Sequence, residues 1–208
     1  MRGRIPSQNT AMGRRDIFDA QGYYTTRFTR FAEANRLPNM LQTGVVPHQI
    51  ASIYASALLH FGANKIKELY FVELCCGSGI PLKFLQDSLG MANTRGLDCD
   101  GKALSVGTHY GVQNLVNCNI AKRIDPIAPH SVDAIGATNI IDALGSVYRE
   151  LSEELFFKQA QSMLKAQGIL IIFGAIPLNI PIGFIDITRN FIPRDLPFID
   201  EIQILQKI

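Results

Sequence analysis

Leu69-Tyr70-Phe71-Val72-Glu73-Leu74-Cys75-Cys76-Gly77-Ser78-Gly79 is the stretch on which the reading of this chain turns. Its first half is a short apolar run that reads as a buried strand, and its second half ends on two glycines. Pro81 and a Leu82, Leu85 and Leu89 stripe follow, as in a helix that carries proline in its first turn. Gly77 and Gly79 lack a Cβ, so a ligand can approach the backbone closely, and the helix start behind them offers N–H groups. A dinucleotide fingerprint asks for a further glycine at position 82, where Leu stands. An ordinary tight strand-to-helix turn is the plainer alternative.

Outward from this stretch, strand and helix patterns alternate. Thr94 to Asp98 reads as a second strand, and Asp100 is placed to cap a helix through Lys102, Leu104 and Val106. Leu115 to Cys118 reads as a third strand and Val132 to Ala137 as a fourth. Leu151 to Leu164 reads as a helix terminated by Lys165 and Gly168, and Gly168 to Gly174 is the clearest strand in the chain. Upstream, Asp16 to Ala34 and Pro47 to Phe61 carry amphipathic spacing and are expected to cover a sheet edge or form a lid. The expected fold is α/β: a doubly wound, mostly parallel sheet with an N-terminal helical lid. Residues 1–15 are expected to be a flexible basic tail and residues 16–208 one domain, the lid spanning 16–62 and the sheet core 66–208. Downstream of Gly174, Pro177, Pro181, Pro193 and Pro197 interrupt longer elements, and only Glu201 to Lys207 alternates like a strand. If no further strand covers it, that edge is left to pair with a second copy, giving a homodimer.

Composition narrows the function classes. The chain has 208 residues, 47% hydrophobic and 18% charged, enough apolar content for one packed core. A formal net charge of +2 is well short of the basic excess that tracks a phosphate backbone, so nucleic acid is not expected as a partner. The apolar stretch Ile169 to Ile185 is broken by Pro177, Asn179 and Pro181 and falls short of the roughly 20 residues a spanning helix needs, so no membrane span is expected. Arg2, Arg4, Arg14 and Arg15 precede the first acidic residue without an apolar moment, which reads as a solvated tail. No signal-peptide apolar core is read, so the 4 cysteines are expected as reduced thiols in a cytoplasm.

Three successive strand ends carry polar groups. After the glycine bend comes Asp98, whose carboxylate suits the two hydroxyls of a ribose, although helix capping is its bland use. Asn119 ends the third strand with an amide able to pair with a base edge. Together they describe a nucleoside site.

In this order and at this spacing, ELCCGSG, GLDCD, CNIAKR, VDAIGATNIIDAL and LKAQGILIIFG resemble the class I S-adenosylmethionine-dependent methyltransferases. The resemblance covers roughly Leu69 to Gly174; the family's first motif reads acidic-x-Gly-x-Gly-x-Gly, and Cys75 stands at its first glycine. It implies S-adenosylmethionine as cofactor and a small-molecule acceptor. It further implies Glu73, Gly77 and Gly79 at the methionyl end, Asp98 at the ribose, Cys99 and Ile120 flanking adenine and Asn119 at its amino group. Thr138 and Asn139 would then lie near the sulfonium. FDAQGYYTTRF resembles the lead helix of many small-molecule members, which implies Tyr24 and Arg27 at the cofactor carboxylate; an amphipathic helix packing on the sheet is the alternative.

Methyl transfer from a sulfonium is an in-line displacement with an already activated donor, so alignment and water exclusion are the main tasks. A general base serves only an acceptor that is protonated at neutral pH. Asp142 is the first candidate, with His48 and Tyr23 behind it, and helix capping is the bland use of Asp142. His60, His109 and His130 lack metal-type spacing, and Cys75, Cys76, Cys99 and Cys118 lack a CxxC pattern, so no metal is expected. The apolar Ile176 to Ile187 segment is expected to line an acceptor pocket. Two other classes compete: a non-catalytic nucleoside-binding protein acting through a partner, and an NAD(P)-dependent oxidoreductase, which would share the strand, turn and acidic residue but lacks a Tyr-x-x-x-Lys pair.

Overall fold

Strands covered on both faces need continuous apolar runs, and the runs read from the sequence lie side by side in one sheet. The computed structural model describes residues 47–122, 127–138, 152–173, 179–190 and 202–208. Its strands are β1 (Phe71–Leu74), β2 (Thr94–Asp98), β3 (Leu115–Asn117), β4 (Val132–Thr138), β5 (Leu164–Phe173), β6 (Phe184–Asp186) and β7 (Ile202–Lys207). They are ordered β3-β2-β1-β4-β5-β7-β6. β1 to β5 pair in parallel, whereas β7 is antiparallel to both β5 and β6. The helices are α1 (Pro47–Leu58), α2 (Ile80–Leu89), α3 (Gly101–His109) and α4 (Glu153–Met163). This is the expected doubly wound arrangement. No helix among the described residues is long and apolar enough to cross a membrane.

Alternation along the strands splits the core in two. Phe71, Ala134, Ile169 and Ile171 pack with α1 and α2 on one face. Val72, Leu74, Ile135 and Leu170 pack with Phe156, Phe157 and Met163 of α4 on the other. Local chemistry sets the helix starts: Asp100 Oδ1 accepts from the N–H groups of Lys102 (2.9 Å) and Ala103 (3.2 Å), and Ser152 Oγ accepts from that of Leu155 (3.1 Å).

Three expectations are corrected by contacts distant in sequence. The part of the expected lid that lies in α1 is a core layer. Tyr54, Ala55, Ala57 and Leu58 are fully buried there, and burial of a large apolar side chain is worth roughly 1.5–3 kcal/mol, which an opening lid would forfeit. The tail and the helix read over residues 16–34 lie outside the described residues. The second correction is the end of α4, which stops at Met163 and passes directly into β5, without the cation-then-glycine ending. Lys165 instead meets Asp133 Oδ1 at 2.7 Å, and the carbonyls of Gln161 and Leu164 each accept from Lys207 Nζ of β7 at 2.7 Å. Lys207→Met is expected to lower unfolding free energy by about 1–3 kcal/mol, since two charge-assisted bonds are lost; denaturant unfolding measures it, and an unchanged midpoint counts against the cap.

The third correction is the far edge. β6 covers the outer side of β7 over its last three residues, pairing Phe184 with Lys207, Ile185 with Gln206 and Asp186 with Leu205, so that part of the edge is not open and self-association there loses its premise. Thr188 Oγ1 adds a bond from the Ile204 N–H at 2.8 Å. Phe184, expected at an acceptor pocket, is buried, with its ring centroid 6.2 Å from that of Phe157. Ile185 is exposed on the edge strand.

Candidate functional site

The sheet order reverses between β1 and β4, and the crevice beyond the carboxyl ends of the strands at such a switch point is where open α/β sheets bind ligands. The bend after β1 stands at this point. Cys75 (φ 56°) and Gly77 (φ 55°) are both left-handed. A side chain in that conformation costs roughly 1–2 kcal/mol, which gives the physical reason why the first-motif pattern places glycine where Cys75 stands. At Gly77 a Cβ would meet no described atom within 4 Å, so the bend opens outward there. Gly79 differs: its Cβ would lie 2.8 Å from Leu115 Cδ2 and 3.0 Å from Val112 Cγ1, so it serves packing.

Two glycines that sequence reasoning passed over seat the bend from below. A Cβ on Gly96 of β2 would lie 2.7 Å from Cys76 Sγ, and one on Gly107 of α3 would collide with the carbonyl of Ser78. Their signal is invisible in the sequence, because it consists of what lies opposite.

Asp98 closes β2 and faces the bend. Oδ2 accepts from the Gly77 N–H at 2.7 Å and Oδ1 from the Asp100 N–H at 2.8 Å. Each oxygen keeps a second lone pair, so the carboxylate can still accept from two vicinal hydroxyls. The Asp98 carbonyl accepts from the Cys118 N–H at 2.8 Å, which ties the end of β3 to the same place.

The residues expected at a base are arranged less uniformly. Asn119 Oδ1 accepts from the Ala121 N–H at 2.9 Å, a local turn that fixes the amide plane. Cys99 is exposed just beyond Asp98, whereas Ile120 is fully buried in the core facing α4. The two side chains expected to flank one ring thus differ in environment. Thr138 ends β4 and is half-buried. His48 is in the first turn of α1. Tyr23, Tyr24, Arg27, Asn139 and Asp142 lie outside the described residues, as does Ile176 of the expected pocket segment.

Glu73 is the unusual group. It is 1% exposed, on the sheet face that α1 covers. Oε1 accepts from the Tyr54 hydroxyl at 3.2 Å, while Oε2 is buried with no hydrogen-bond partner among the described residues. Burial pushes the carboxyl up to about 8, against the lowering effect of the Tyr54 hydrogen bond and with a further push from Asp98. Burial also raises the Cys76 thiol, aided by Glu73, Asp98 and Cys75, so it stays protonated and unreactive at neutral pH. Cys76 packs into the core facing α1 and Cys75 against the one facing α4. Among the described residues no group of three His, Cys, Asp or Glu side chains gathers as metal ligands would.

Tyr54 is the residue that sequence reasoning missed. It lies on an amphipathic helix between Ile50 and Leu58, where a tyrosine reads as core. Its hydroxyl is nevertheless 2.8 Å from Thr138 Oγ1 as well as bonded to Glu73, so α1, β1 and β4 meet through it.

No protein-family model and no curated protein sequence matches the chain. Among solved structures, the plantazolicin methyltransferase BpumL in complex with a pentazolic desmethylPZN analog and SAH aligns at TM-score 0.51 and 16% identity, over 76% of this chain and 57% of that one. An S-adenosylmethionine-dependent methyltransferase from Mesorhizobium loti aligns at TM-score 0.43 and 19% identity, over 56% of this chain and 50% of that one. One from Archaeoglobus fulgidus aligns at TM-score 0.43 and 16% identity, over 60% and 53%. The chain spans about half the length of the structures it matches. At these identities the likeness, carried by the first of them, is one of fold: the Rossmann-like methyltransferase fold.

Proposed function

We propose that the chain is a class I S-adenosylmethionine-dependent methyltransferase that transfers the methyl group to a small-molecule acceptor. One observation carries the reading: the carboxylate of Asp98 is held against the N–H of an open glycine bend, with acceptor capacity to spare on both oxygens. The residues fit the cofactor. Gly77 leaves the space a Cβ would fill, Asp98 suits a ribose diol, and Glu73 Oε2 is buried without a donor among the described residues, a place that an ammonium can fill.

When bound, the cofactor supplies a methyl group already activated on sulfur. The chain's share is alignment and exclusion of water, which in favourable intramolecular cases is worth about 7–11 kcal/mol. In this reading Glu73 and Gly77 hold the amino-acid arm with Gly79 packed behind them, Asp98 holds the ribose, and Cys99 and Asn119 border the adenine with Ile120 in the core beneath it. Thr138 and Asn139 border the sulfonium, Tyr24 and Arg27 reach the carboxylate, and Asp142 takes a proton where the acceptor carries one.

Isothermal titration with S-adenosylhomocysteine tests the proposal, with NADH as the contrasting ligand. Saturable one-to-one heat with the first and none with the second is expected. Binding of NADH alone overturns the reading in favour of an oxidoreductase. Binding of S-adenosylhomocysteine with no transfer of labelled methyl to any of a panel of small acceptors overturns the enzymatic part.

A further inference from the structure

Tyr54 is fully buried, and the fold makes room for it. A Cβ on Gly136 of β4 would sit 2.5 Å from its Cζ, and the Phe71 ring of β1 lies 5.0 Å away, centroid to centroid. The phenol is therefore held in a slot between the two strands that flank the switch point. Its hydroxyl is shared by Glu73 Oε1 at 3.2 Å and Thr138 Oγ1 at 2.8 Å.

A phenol has one proton to give. When Glu73 is ionised, as an ammonium at Oε2 favours, Tyr54 donates that proton to it and the bond to Thr138 runs the other way, with the threonine hydroxyl donating. The result is a directed chain, Thr138 to Tyr54 to Glu73, in which each bond polarises the next. It satisfies Oε1 and leaves Oε2 without a partner among the described residues. A lone unsatisfied oxygen in a dry site is costly unless a ligand supplies the missing donor.

Resting on the proposed cofactor site, we infer that Tyr54 is a positioning residue for the amino-acid arm: its hydroxyl, relayed from Thr138, fixes Glu73 so that Oε2 receives the ligand's ammonium. Discrimination between an intact cofactor and its bare nucleoside then depends on α1, an element remote in sequence from the glycine bend. Asp98 handles the ribose independently of this relay.

The test compares two ligands on the full chain by calorimetry: S-adenosylhomocysteine, which has the amino-acid arm, and methylthioadenosine, which has the same nucleoside without it. Tyr54→Phe keeps the ring in its slot and removes the hydroxyl. Expected is about a tenfold loss of S-adenosylhomocysteine affinity with methylthioadenosine affinity unchanged within about twofold. Thr138→Val, which cuts the relay at its start, is expected to give a smaller loss of S-adenosylhomocysteine affinity than Tyr54→Phe. The retained methylthioadenosine binding doubles as proof that the variants fold. Equal losses for both ligands, or no loss for either, overturn the positioning role while leaving the cofactor reading in place. A wild-type chain that binds methylthioadenosine but not S-adenosylhomocysteine overturns it too. Failure of both ligands on the wild type removes the cofactor reading and this inference with it.

Discussion

Asp98→Ala is expected to weaken S-adenosylhomocysteine and methylthioadenosine alike, by roughly a hundredfold or more. A hydroxyl bonded to a carboxylate contributes about 1.5–3 kcal/mol net, and the ribose diol offers two. The substitution also removes the acceptor from the N–H groups of Gly77 and Asp100, so the bend loses its tie to β2. With Asp98 only 8% exposed, a drop in unfolding free energy of about 1–3 kcal/mol accompanies the loss of affinity. Asp98→Asn separates the two effects: it preserves shape and one acceptor, and is expected to fall between wild type and alanine in binding while recovering most of the stability. Paired calorimetric and denaturant titrations read both quantities. Methylthioadenosine affinity unaffected by alanine at this position would place the ribose elsewhere. The contrast with Tyr54→Phe is diagnostic, since one position acts on both ligands and the other on the arm alone.

Glu73→Gln is expected to remove the loss of stability that the wild type suffers as pH rises. The carboxyl titrates at an ordinary 4.5 in the unfolded chain and at about 8 in the folded one, burial being the main cause. Between those values the unfolded chain binds fewer protons, so the wild type loses stability as pH rises from 4.5 to 8, by an amount of order several kcal/mol. Below that window the neutral acid carries no penalty. The groups that set the position of this titration are Tyr54 on α1 and Asp98 on β2, with the Cys76 thiol close enough to feel the charge. Glutamine cannot ionise, so Glu73→Gln is expected to be the more stable protein at pH 8 and to show a flatter profile. Urea unfolding at pH 5.5 and pH 8 measures the difference, and a wild type whose stability rises between them relative to the variant would contradict it. The same carboxyl predicts a binding signature. Near pH 7 an ammonium at Oε2 favours the carboxylate, so S-adenosylhomocysteine should release about one proton to the buffer from wild type and none from Glu73→Gln.

The half of the fold built on β1 and β2 was legible because its determinants are local. A strand buried on both faces writes itself as Phe71-Val72-Glu73-Leu74, and a left-handed turn asks for Gly77 within a few residues. Asp100 caps the helix that begins beside it. What could not be read were arrangements settled by partners far along the chain. Lys165 and Gly168 have the chemistry of a helix end, yet Lys207 performs that task from the other side of the sheet. Three residues, Phe184–Asp186, are too few for periodicity to register as a strand. Tyr54 looks like any core-facing aromatic on α1, and only the gap at Gly136 and the nearness of Glu73 and Thr138 give its hydroxyl a role. At Asp98 the opposite held: a single position between strand and capped helix already limited the side chain to a few uses.

The antiparallel insertion of β7 between β5 and β6 has a consequence for how the protein is made. On a ribosome the chain emerges in order, so the 184–186 segment is synthesised before the 202–207 segment through which it joins the sheet. The β3-β2-β1-β4-β5 portion can assemble during translation, while the outer margin of β5 waits uncovered until residue 207 has left the exit tunnel. Translation pausing shortly before that point would expose a growing apolar margin to neighbouring nascent chains. Chaperone dependence is therefore expected to concentrate in the interval between emergence of β5 and emergence of β7, after the crevice at the β1–β4 switch point has taken shape.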